Sequence, residues 1–444
     1  MSILTVLKDT RSYGACFFCF ALVFLFNLIF AGPLSSYLGS DLFSWLGRAL
    51  YLVIFIIFLT TNLKLAISNK YCLLLAGLVV LVIFSFILTP GLSLKKVAFK
   101  DYVIPLIALF STLYIRLDEL KAKNIYQLLI WVSILQFPFV LQQYFFEAHS
   151  SSIRLVDWDL ITGTFGFNST GGGGNSAGFV LFQMFVLTMV FVKFRHERLE
   201  RIEYIAVLFI FLTILLAETK IFIFLFLVMI LSAYSMKELT NLSTLGKIIP
   251  AFLLIGALFI NLYQTNTTDT TDVQTSTDYI AKIYSDYFEK QVIDYETGEV
   301  GRTMSVIYWI EEQSTRGWPI ESYIGYGLTT SKLSNGYLSE AETFGSYINF
   351  ASTQLTIYLW DIGIFGTFIY YSLVIFFITR TILLLHVTHS EYLFYLRSAA
   401  LFAFFSSIIY TVYSATLHSS AISQVIYLIS FMSIVSMKKD SAQL

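Results

Sequence analysis

The chain has 444 residues, a formal net charge of -1, and a composition that is 57% hydrophobic and 13% charged. Soluble domains carry roughly 25% charged residues, so this composition argues against a soluble protein and favours a membrane protein. A nearly neutral chain is also not a general binder of nucleic acid or other polyanions, so any anion site must be local. Its three cysteines do not form a disulfide framework.

Apolar blocks near the length of a membrane-spanning helix recur along the whole chain. We predict an all-α polytopic membrane protein with about twelve spans, which form a single transmembrane domain over residues 1–444. The tenth span is over-long, and Gly363 and Gly366 are expected to divide it into a short first piece and a true span. The spans are expected near 13–32, 43–65, 71–89, 101–116, 125–146, 175–194, 202–218, 220–236, 247–264, 351–384, 393–414 and 420–437.

Lysine and arginine are distributed unevenly between the two sets of loops. With the N-terminus in the cytoplasm, seventeen of these residues fall in inner segments, and nine fall in outer segments of greater total length. The positive-inside rule therefore places both termini in the cytoplasm. It also places three polar segments outside, at 90–100, at 147–174, and in a large loop at 265–350 between the ninth and tenth spans.

Three cations fall on the outer side although they are far apart in the chain: Arg154, Lys220 and Arg302. A charge close to hydrocarbon is costly and is usually retained for function. Converging on one cleft, the three would bind a phosphate or pyrophosphate, for which arginine gives bidentate geometry. For Lys220 the alternative is an interfacial lysine that snorkels to water and pairs with Glu218.

The outer segment that contains Arg154 also contains Asp159 and four consecutive glycines at 171–174. The glycines do not form a P-loop, because the Lys-Ser/Thr that should follow them is missing. We expect Asn175 and Ser176 to cap the next helix, whose N-terminal N–H groups would point outward and attract an anion. The glycines would let a bulky substrate approach that helix end. The alternative is a loop that contacts no substrate.

Other outer residues give weaker signals. Lys95 and Lys96 break the positive-inside trend, which favours a contact with a lipid pyrophosphate; a solvated loop is the alternative. His418 lies between the last two spans, where a histidine without a role is the favoured interpretation. The sequence shows no clustered metal ligands, so its residues predict no metal site. No spacing selects a pair from the outer carboxylates Asp157, Asp159, Glu218, Glu311 and Glu342.

Four pieces of the chain carry a family resemblance: "IRLVDWDLITGTFGF…GNSAGFVL", "LLAETKIFIF", "GRTMSVIYWIEE" with "IGYGLTT", and "QLTIYLWDIGIFGTFIYY". In order and spacing, over about residues 90–440, they resemble the bacterial O-antigen polymerases and O-antigen ligases. Ligases usually carry a His-Asn just before the last of these spans, where this chain reads "ASTQ" at 351–354. The missing histidine favours a repeat-unit polymerase over a ligase and leaves the general base unassigned.

The resemblance implies a GT-C-like glycosyltransferase in the bacterial inner membrane, with its active site facing the periplasm and with no cofactor. Its substrates would be oligosaccharides linked through pyrophosphate to undecaprenol. A hydroxyl of one unit would attack the anomeric carbon of another with inversion, and undecaprenyl pyrophosphate would leave. Protein partners would be a chain-length regulator and a flippase. The leaving group would be stabilised by Arg154, Lys220 and Arg302, and the substrate contacted by Lys95, Lys96, Asp159, Glu218, Tyr326 and His418.

The alternative from another class is a transporter, such as a lipid-linked oligosaccharide flippase. A flippase should carry charges within its spans, near the midplane, and often has two related halves. In this sequence the charges lie at the outer rim, one large outer loop dominates, and no repeat of fixed period occurs. The pattern therefore favours the polymerase, with a ligase-type transferase and a flippase as alternatives.

Overall fold

A computed structural model gives the structure of the protein. It describes residues 17–38, 42–60, 69–113, 115, 117–147, 161–166, 174–217, 219, 221–235, 301–331, 353–414 and 420–435, with the single positions 238, 241, 243, 246 and 250. All regular structure in these ranges is helical, and they contain no strand.

The helices are numbered here in chain order. They are α1 (Phe17–Ser36), α2 (Leu42–Thr60), α3 (Asn69–Leu88), α4 (Leu92–Ala98), α5 (Ile104–Thr112), α6 (Glu119–Gln142), α7 (Gly174–His196), α8 (Arg201–Leu216), α9 (Phe222–Ala233), α10 (Arg302–Thr315), α11 (Ile320–Ile324), α12 (Gln354–Asp361), α13 (Gly363–His386), α14 (Glu391–Tyr413) and α15 (Ala421–Val435). The π-helical turn Phe99–Val103 joins α4 to α5, Gln143–Glu147 extends α6, and a 3₁₀ turn at Gly163–Phe165 precedes α7.

Five of these helices are long and apolar enough to cross a membrane: α1, α6 with its extension, α7, α13 and α14. Shorter apolar stretches lie in α2, α3, α9 and α15. The chain is therefore built as an α-helical membrane protein, as its composition indicates. Each predicted span coincides with a helix except the one at 247–264, of which only position 250 is described. The number of spans and the GT-C-like arrangement stay predictions.

Helix α7 lies at the centre of the bundle, where it packs against α14, α9 and α8. Every residue in 176–190 is buried. The Gln183 side chain accepts a hydrogen bond from Ser133 on α6 and donates one to Thr213 on α8. Between helices surrounded by hydrocarbon, such bonds and close van der Waals packing hold the bundle together, because lipid is as apolar as the helices themselves.

Helix α13 lies at the edge of the bundle. Only 22% of its most apolar stretch is buried, and Phe365, Phe368 and Ile375 on its surface are exposed. A soluble monomer rarely exposes a continuous apolar face of this kind. We interpret this face as the surface that contacts lipid.

The helix ends gather at two opposite faces of the bundle. At one face, named here the Lys193 end, Lys193 Nζ lies 2.8 Å from Glu203 Oε1, and both side chains are buried. Tyr126 donates its hydroxyl to the same carboxylate oxygen at 2.8 Å, and the Tyr392 ring lies beside the ammonium group. This is the face that the sequence predicts to be cytoplasmic. The opposite face, where α10 begins, is named the Arg302 end.

The outer segment at 90–100, predicted to be a loop, is helical from Leu92 onward, so that prediction was wrong. Leu94 and Ala98 lie four residues apart and are both buried, so they give α4 an inward face. The helix then continues through the π-helical turn into α5. Lys95 and Lys96 therefore lie on a helix rather than in a loop.

The break predicted in the tenth span is confirmed at Gly363, while Gly366 lies inside α13. The backbone at Gly363 has φ 67°, a conformation that residues with a side chain rarely adopt. A Cβ there would lie 2.4 Å from the Gly325 nitrogen. At the break, the backbone of Gly363 therefore lies in close contact with the backbone of Tyr323 and Gly325.

Candidate functional site

The structure describes four of the residues that the sequence assigns to the site: Arg302, Lys95, Lys96 and Tyr326. Thr219 is also described, and it is buried in the short turn between α8 and α9, where its carbonyl accepts from Phe222 N at 3.1 Å. Outside the described residues lie Arg154, Asp159, Glu218, Lys220 and His418.

Arg302 is the first residue of α10, directly after Gly301, as the sequence predicts. Its guanidinium carbon lies 4.3 Å from the centroid of the Tyr413 ring, at the last turn of α14. A planar guanidinium stacked on an aromatic ring is held in place without losing its charge. The side chain as a whole is half-buried, and its Nη1 atom is closed off from water.

Three helix ends meet beside this arginine. Ser305, one turn into α10, shares a 2.9 Å hydrogen bond with Thr356 on α12. The Thr353 side chain caps α12 by accepting from Thr356 N at 3.2 Å. Gln354 N donates to the Ser414 carbonyl at 3.0 Å, which ties the start of α12 to the end of α14. The N-termini of α10 and α12 therefore lie together, and both contribute partial positive charge.

The start of α7 joins the same face. Tyr410, one turn before the end of α14, donates its hydroxyl to the Ala177 carbonyl. Helix α7 begins at Gly174, so Asn175 and Ser176 lie in its first turn rather than before it, unlike the predicted capping positions. The helix that follows the glycine run therefore begins at the same end of the bundle as Tyr413, whose ring contacts Arg302.

A non-helical segment at 325–331, named here the strap, enters the bundle at the Arg302 end. Gly325 and Gly327 have φ values of 87° and 108°, and a Cβ on either would clash with backbone. The clash would be with the Asp361 carbonyl at 2.4 Å for Gly325 and with Thr89 Cα at 2.6 Å for Gly327. At both glycines of the "GYG" motif the strap therefore lies in close contact with another part of the backbone, and this contact requires glycine.

Asp361, at the end of α12, holds the strap through its carboxylate. One oxygen accepts from Tyr102 OH at 2.8 Å and from Thr329 N at 2.7 Å. The other accepts from Ser331 N at 3.1 Å and from Thr330 Oγ1 at 3.3 Å. The carboxylate is fully buried, so these donors replace the water that it would otherwise require.

Sequence reasoning missed Asp361, although a signal was present. It is a single acidic residue within an apolar stretch, "QLTIYLWDIGIFG", inside a predicted span. An ionisable residue at such a place is rare and usually functional. Sequence reasoning also left Asp101 unassigned, and it pairs with Arg48 at 3.5 Å where both side chains are buried.

Tyr326 lies in the strap and is half-buried. Its hydroxyl donates to Gln313 Oε1 at 2.8 Å, and its ring centroid lies 5.3 Å from that of Trp360. Burial raises the pKa of the Tyr326 phenol, so it stays a neutral donor at physiological pH. Its described contacts fix the strap to α10 and α12.

A cavity of about 260 Å³ runs from the strap into the bundle. Its walls are mostly apolar, with Tyr102, Asp101 and Gln424 among the polar groups that line it. Its lining extends from Ile362, just before α13, to Phe377 on α13, a distance of about 22 Å along the helix. A long apolar chain is the kind of ligand that such a space accepts.

Lys95 and Lys96 lie on α4 near the strap, since the neighbouring Leu94 carbonyl accepts a hydrogen bond from Thr329 at 3.3 Å. Lys95 is half-buried and Lys96 is exposed. They lie on the same face as Arg302 but toward the far end of α12, a helix about 11 Å long. The described contacts do not join this lysine pair to Arg302.

The Arg302 end therefore combines a fixed cation, several helix N-termini and the mouth of an apolar cavity. This arrangement suits an amphiphile with an anionic head group. Within the described part of the chain, no three histidine, cysteine or acidic side chains are grouped so that they could hold a metal ion.

Comparison of the chain with models of known protein families and with curated proteins gives no match. The functional conclusion therefore depends on the sequence and on the geometry of the Arg302 end.

Proposed function

We propose that the protein is a bacterial inner-membrane polymerase with a GT-C-like architecture. It joins undecaprenyl-pyrophosphate-linked oligosaccharide repeat units by inverting glycosyl transfer on the periplasmic face. The observation that carries this proposal is the combination of a fixed cation and an apolar cavity at one end of the bundle.

Helix α12 connects the two parts of this site. Thr356 bonds to Ser305 of α10, one turn from Arg302. Tyr358, two residues further along α12, lines the cavity beside Leu328 of the strap. An anion held near Arg302 would therefore lie close to the mouth of the cavity. A lipid pyrophosphate has its anionic and apolar parts joined in the same way.

The roles of the residues follow from this placement. The cavity would hold part of the prenyl chain, and Arg302 would face the pyrophosphate. A hydroxyl of the second repeat unit would attack the anomeric carbon, and the bond from that carbon to the phosphate oxygen would break. Negative charge then grows on the leaving pyrophosphate, where a fixed cation stabilises the transition state more than the ground state.

The proposal is tested in cells from which the gene has been deleted. Such cells should accumulate single repeat units on lipid, and expression of the parental protein should restore polymer. Arg302→Ala should fail to restore it, because the leaving group loses its fixed cation. Arg198→Ala is the matched control, since Arg198 is an exposed arginine at the opposite end of the bundle. Polymer restored by Arg302→Ala to the parental level, at equal expression, would contradict the proposal.

One observation favours the flippase as a second candidate. Arg48 and Asp101 form a buried pair inside predicted spans, and Asp101 lines the cavity. Charges beside a cavity within the membrane are a feature of transporters. Proteoliposomes loaded with a fluorescent lipid-linked oligosaccharide distinguish the two: a flippase moves it across the bilayer without polymer formation, whereas the polymerase makes polymer on one face.

A further inference from the structure

Helix α10 and the turn that follows it carry a second group of aromatic and polar side chains, away from Arg302. Trp309 and Gln313 lie one turn apart on the buried face of α10 and are 3% and 0% exposed. After α10 the chain turns through Gly317 and Trp318, which have φ values of 73° and 56°. Positive φ at a bulky residue such as tryptophan is uncommon and strained, and residues with such strain occur preferentially at functional sites.

This turn holds the Trp318 ring against Trp309. The Trp318 backbone nitrogen donates to the Gln313 carbonyl at 2.8 Å. The two indole rings meet edge to face with their centroids 6.0 Å apart. Trp318 is 39% exposed, so it is the outer ring of the pair and presents an aromatic surface to solvent.

Two donors in this group have no acceptor among the described residues: Trp309 Nε1 and Gln313 Nε2, both closed off from water. In the structure Gln313 Oε1 accepts from Ser322 Oγ at 2.7 Å and from Tyr326 OH at 2.8 Å. The Gln313 N–H groups point away from Ser322 and Tyr326. Buried donors in native proteins are nearly always paired, so two of them within one turn indicate an acceptor that the described residues do not supply.

We propose that Trp309, Gln313 and Trp318 form a binding site for an oligosaccharide. A sugar ring has an apolar face that packs on an indole, and its hydroxyl oxygens accept hydrogen bonds from amide and indole N–H groups. Rotation of the outer Trp318 ring gives the sugar access to the two buried donors. The identification of this sugar as the repeat unit rests on the proposed function.

The position of the group fits that role. Trp309 and Gln313 follow Arg302 on the same helix by seven and eleven residues, which is about 11 Å and 16 Å along its axis. A repeat unit whose pyrophosphate lies at Arg302 would therefore extend its outer sugars along α10 toward Trp318. The site would hold the sugars that do not react.

The test is calorimetric titration of the purified protein with a lipid-free probe. The probe is the oligosaccharide that mild acid releases from the lipid-linked fraction of producing cells. The parental protein should bind it saturably, and Trp318→Ala should weaken binding about tenfold, the equivalent of about 1.4 kcal/mol. Ile320→Ala, which changes an exposed apolar residue two positions away, should bind as the parent does.

Two further variants separate binding from structure. Trp309→Phe keeps an aromatic ring and removes the N–H, and Gln313→Glu keeps an oxygen for Ser322 and Tyr326 while removing the N–H₂ group. If the donors serve only the fold, neither change lowers affinity for the probe. If they hold sugar, each lowers it severalfold without preventing insertion.

The outcomes distinguish this inference from the proposed function. A parental protein that does not bind the probe would overturn the sugar site, and so would Trp309→Phe and Trp318→Ala variants that bind like the parent. Because the probe carries no lipid pyrophosphate, its binding does not depend on polymerisation. Binding without polymerisation of lipid-linked units would contradict the proposed function alone.

Discussion

Asp361 is the residue on which the strap depends most directly. Its carboxylate accepts four hydrogen bonds, three from the strap and one from Tyr102, in a fully buried setting. A buried carboxylate that has all its donors fixes the backbone around it, whereas donors left without an acceptor destabilise the fold. Asp361 thereby sets the position of Leu328 at the mouth of the cavity.

Replacing Asp361 should therefore destabilise the protein strongly. Asp361→Ala leaves buried donors unpaired and should lower the free energy of unfolding by on the order of 3–5 kcal/mol. Asp361→Asn keeps one oxygen as acceptor and should cost less. Thermal unfolding in detergent measures both. Asp118→Asn is the control, because Asp118 is an exposed helix cap and asparagine caps equally well. Equal unfolding temperatures for Asp361→Ala and the parent would show that the strap does not depend on this carboxylate.

The position of Arg302 at a helix start was predictable from sequence and the contacts of Asp361 were not, for a physical reason. Arg302 follows a glycine at the start of an amphipathic helix, so local pattern and loop topology both indicate its place. The donors to Asp361 come from residues about 30 and 260 positions away in the chain. No local pattern contains that contact, and only the rarity of a charge within an apolar run could have indicated it.

At the scale of elements, the α12–α13 break and the strap form one unit. Gly363 at the break and Gly325 in the strap approach so closely that a Cβ on either would clash with backbone of the other segment. The sequence predicts the break, because glycine near the start of an over-long span is a recognisable signal. It does not predict what fills the break, since the strap lies 32 to 38 residues before Gly363 in the chain and has no pairing signal of its own.

A pair of glycine substitutions tests this unit. Gly363→Ala places a Cβ 2.4 Å from the Gly325 nitrogen at a positive φ, so it adds a steric clash to backbone strain. Gly317→Ala has a similar φ of 73° but meets nothing within 4 Å, so it adds strain alone. We expect about 1–2 kcal/mol for Gly317→Ala and about 3 kcal/mol or more for Gly363→Ala. Equal losses of unfolding temperature would contradict the close approach of the two segments.

The segment at 90–100 shows that a high content of charged residues does not by itself predict a loop, because the segment is helical from Leu92 onward. Three lysines within eleven residues favour a loop, yet the buried residues Leu94, Ala98 and Asp101 recur at helical spacing around them. Such a short inward stripe is hidden in sequence by the charged residues around it. Its partners on the strap become visible only in the fold.

At the scale of the whole molecule, the two ends of the bundle differ in chemistry. The Lys193 end holds tightly paired charges, such as Lys193 with Glu203, beside tyrosine rings. The Arg302 end holds a cation stacked on Tyr413, the strap and the mouth of the cavity. Long apolar blocks separated by polar segments sufficed to predict most of the helices. In lipid such a block forms a helix, because a helix satisfies its own backbone hydrogen bonds. The assignment of the Arg302 end to the outside stays a prediction.

Cysteine labelling tests that assignment. In a version without the three native cysteines, Ser314→Cys and Arg198→Cys place a thiol at exposed positions of the Arg302 end and the Lys193 end. A maleimide that does not cross the membrane should label Ser314→Cys in intact cells, and should label Arg198→Cys only after the membrane is opened. The reverse pattern would place the Arg302 end in the cytoplasm and would contradict a periplasmic reaction.

The most direct measurement is polymerisation by purified components. Parental protein in proteoliposomes, supplied with purified undecaprenyl-pyrophosphate-linked repeat units, should produce a ladder of longer lipid-linked chains and release undecaprenyl pyrophosphate. Arg302→Ala should lower the rate by on the order of 100- to 1,000-fold, as expected for the loss of one fixed electrostatic stabiliser. Arg302→Lys should recover part of the rate, since it keeps the charge and loses the planar fork. A parental protein that makes no polymer, or an Arg302→Ala variant that makes it at the parental rate, would contradict the account.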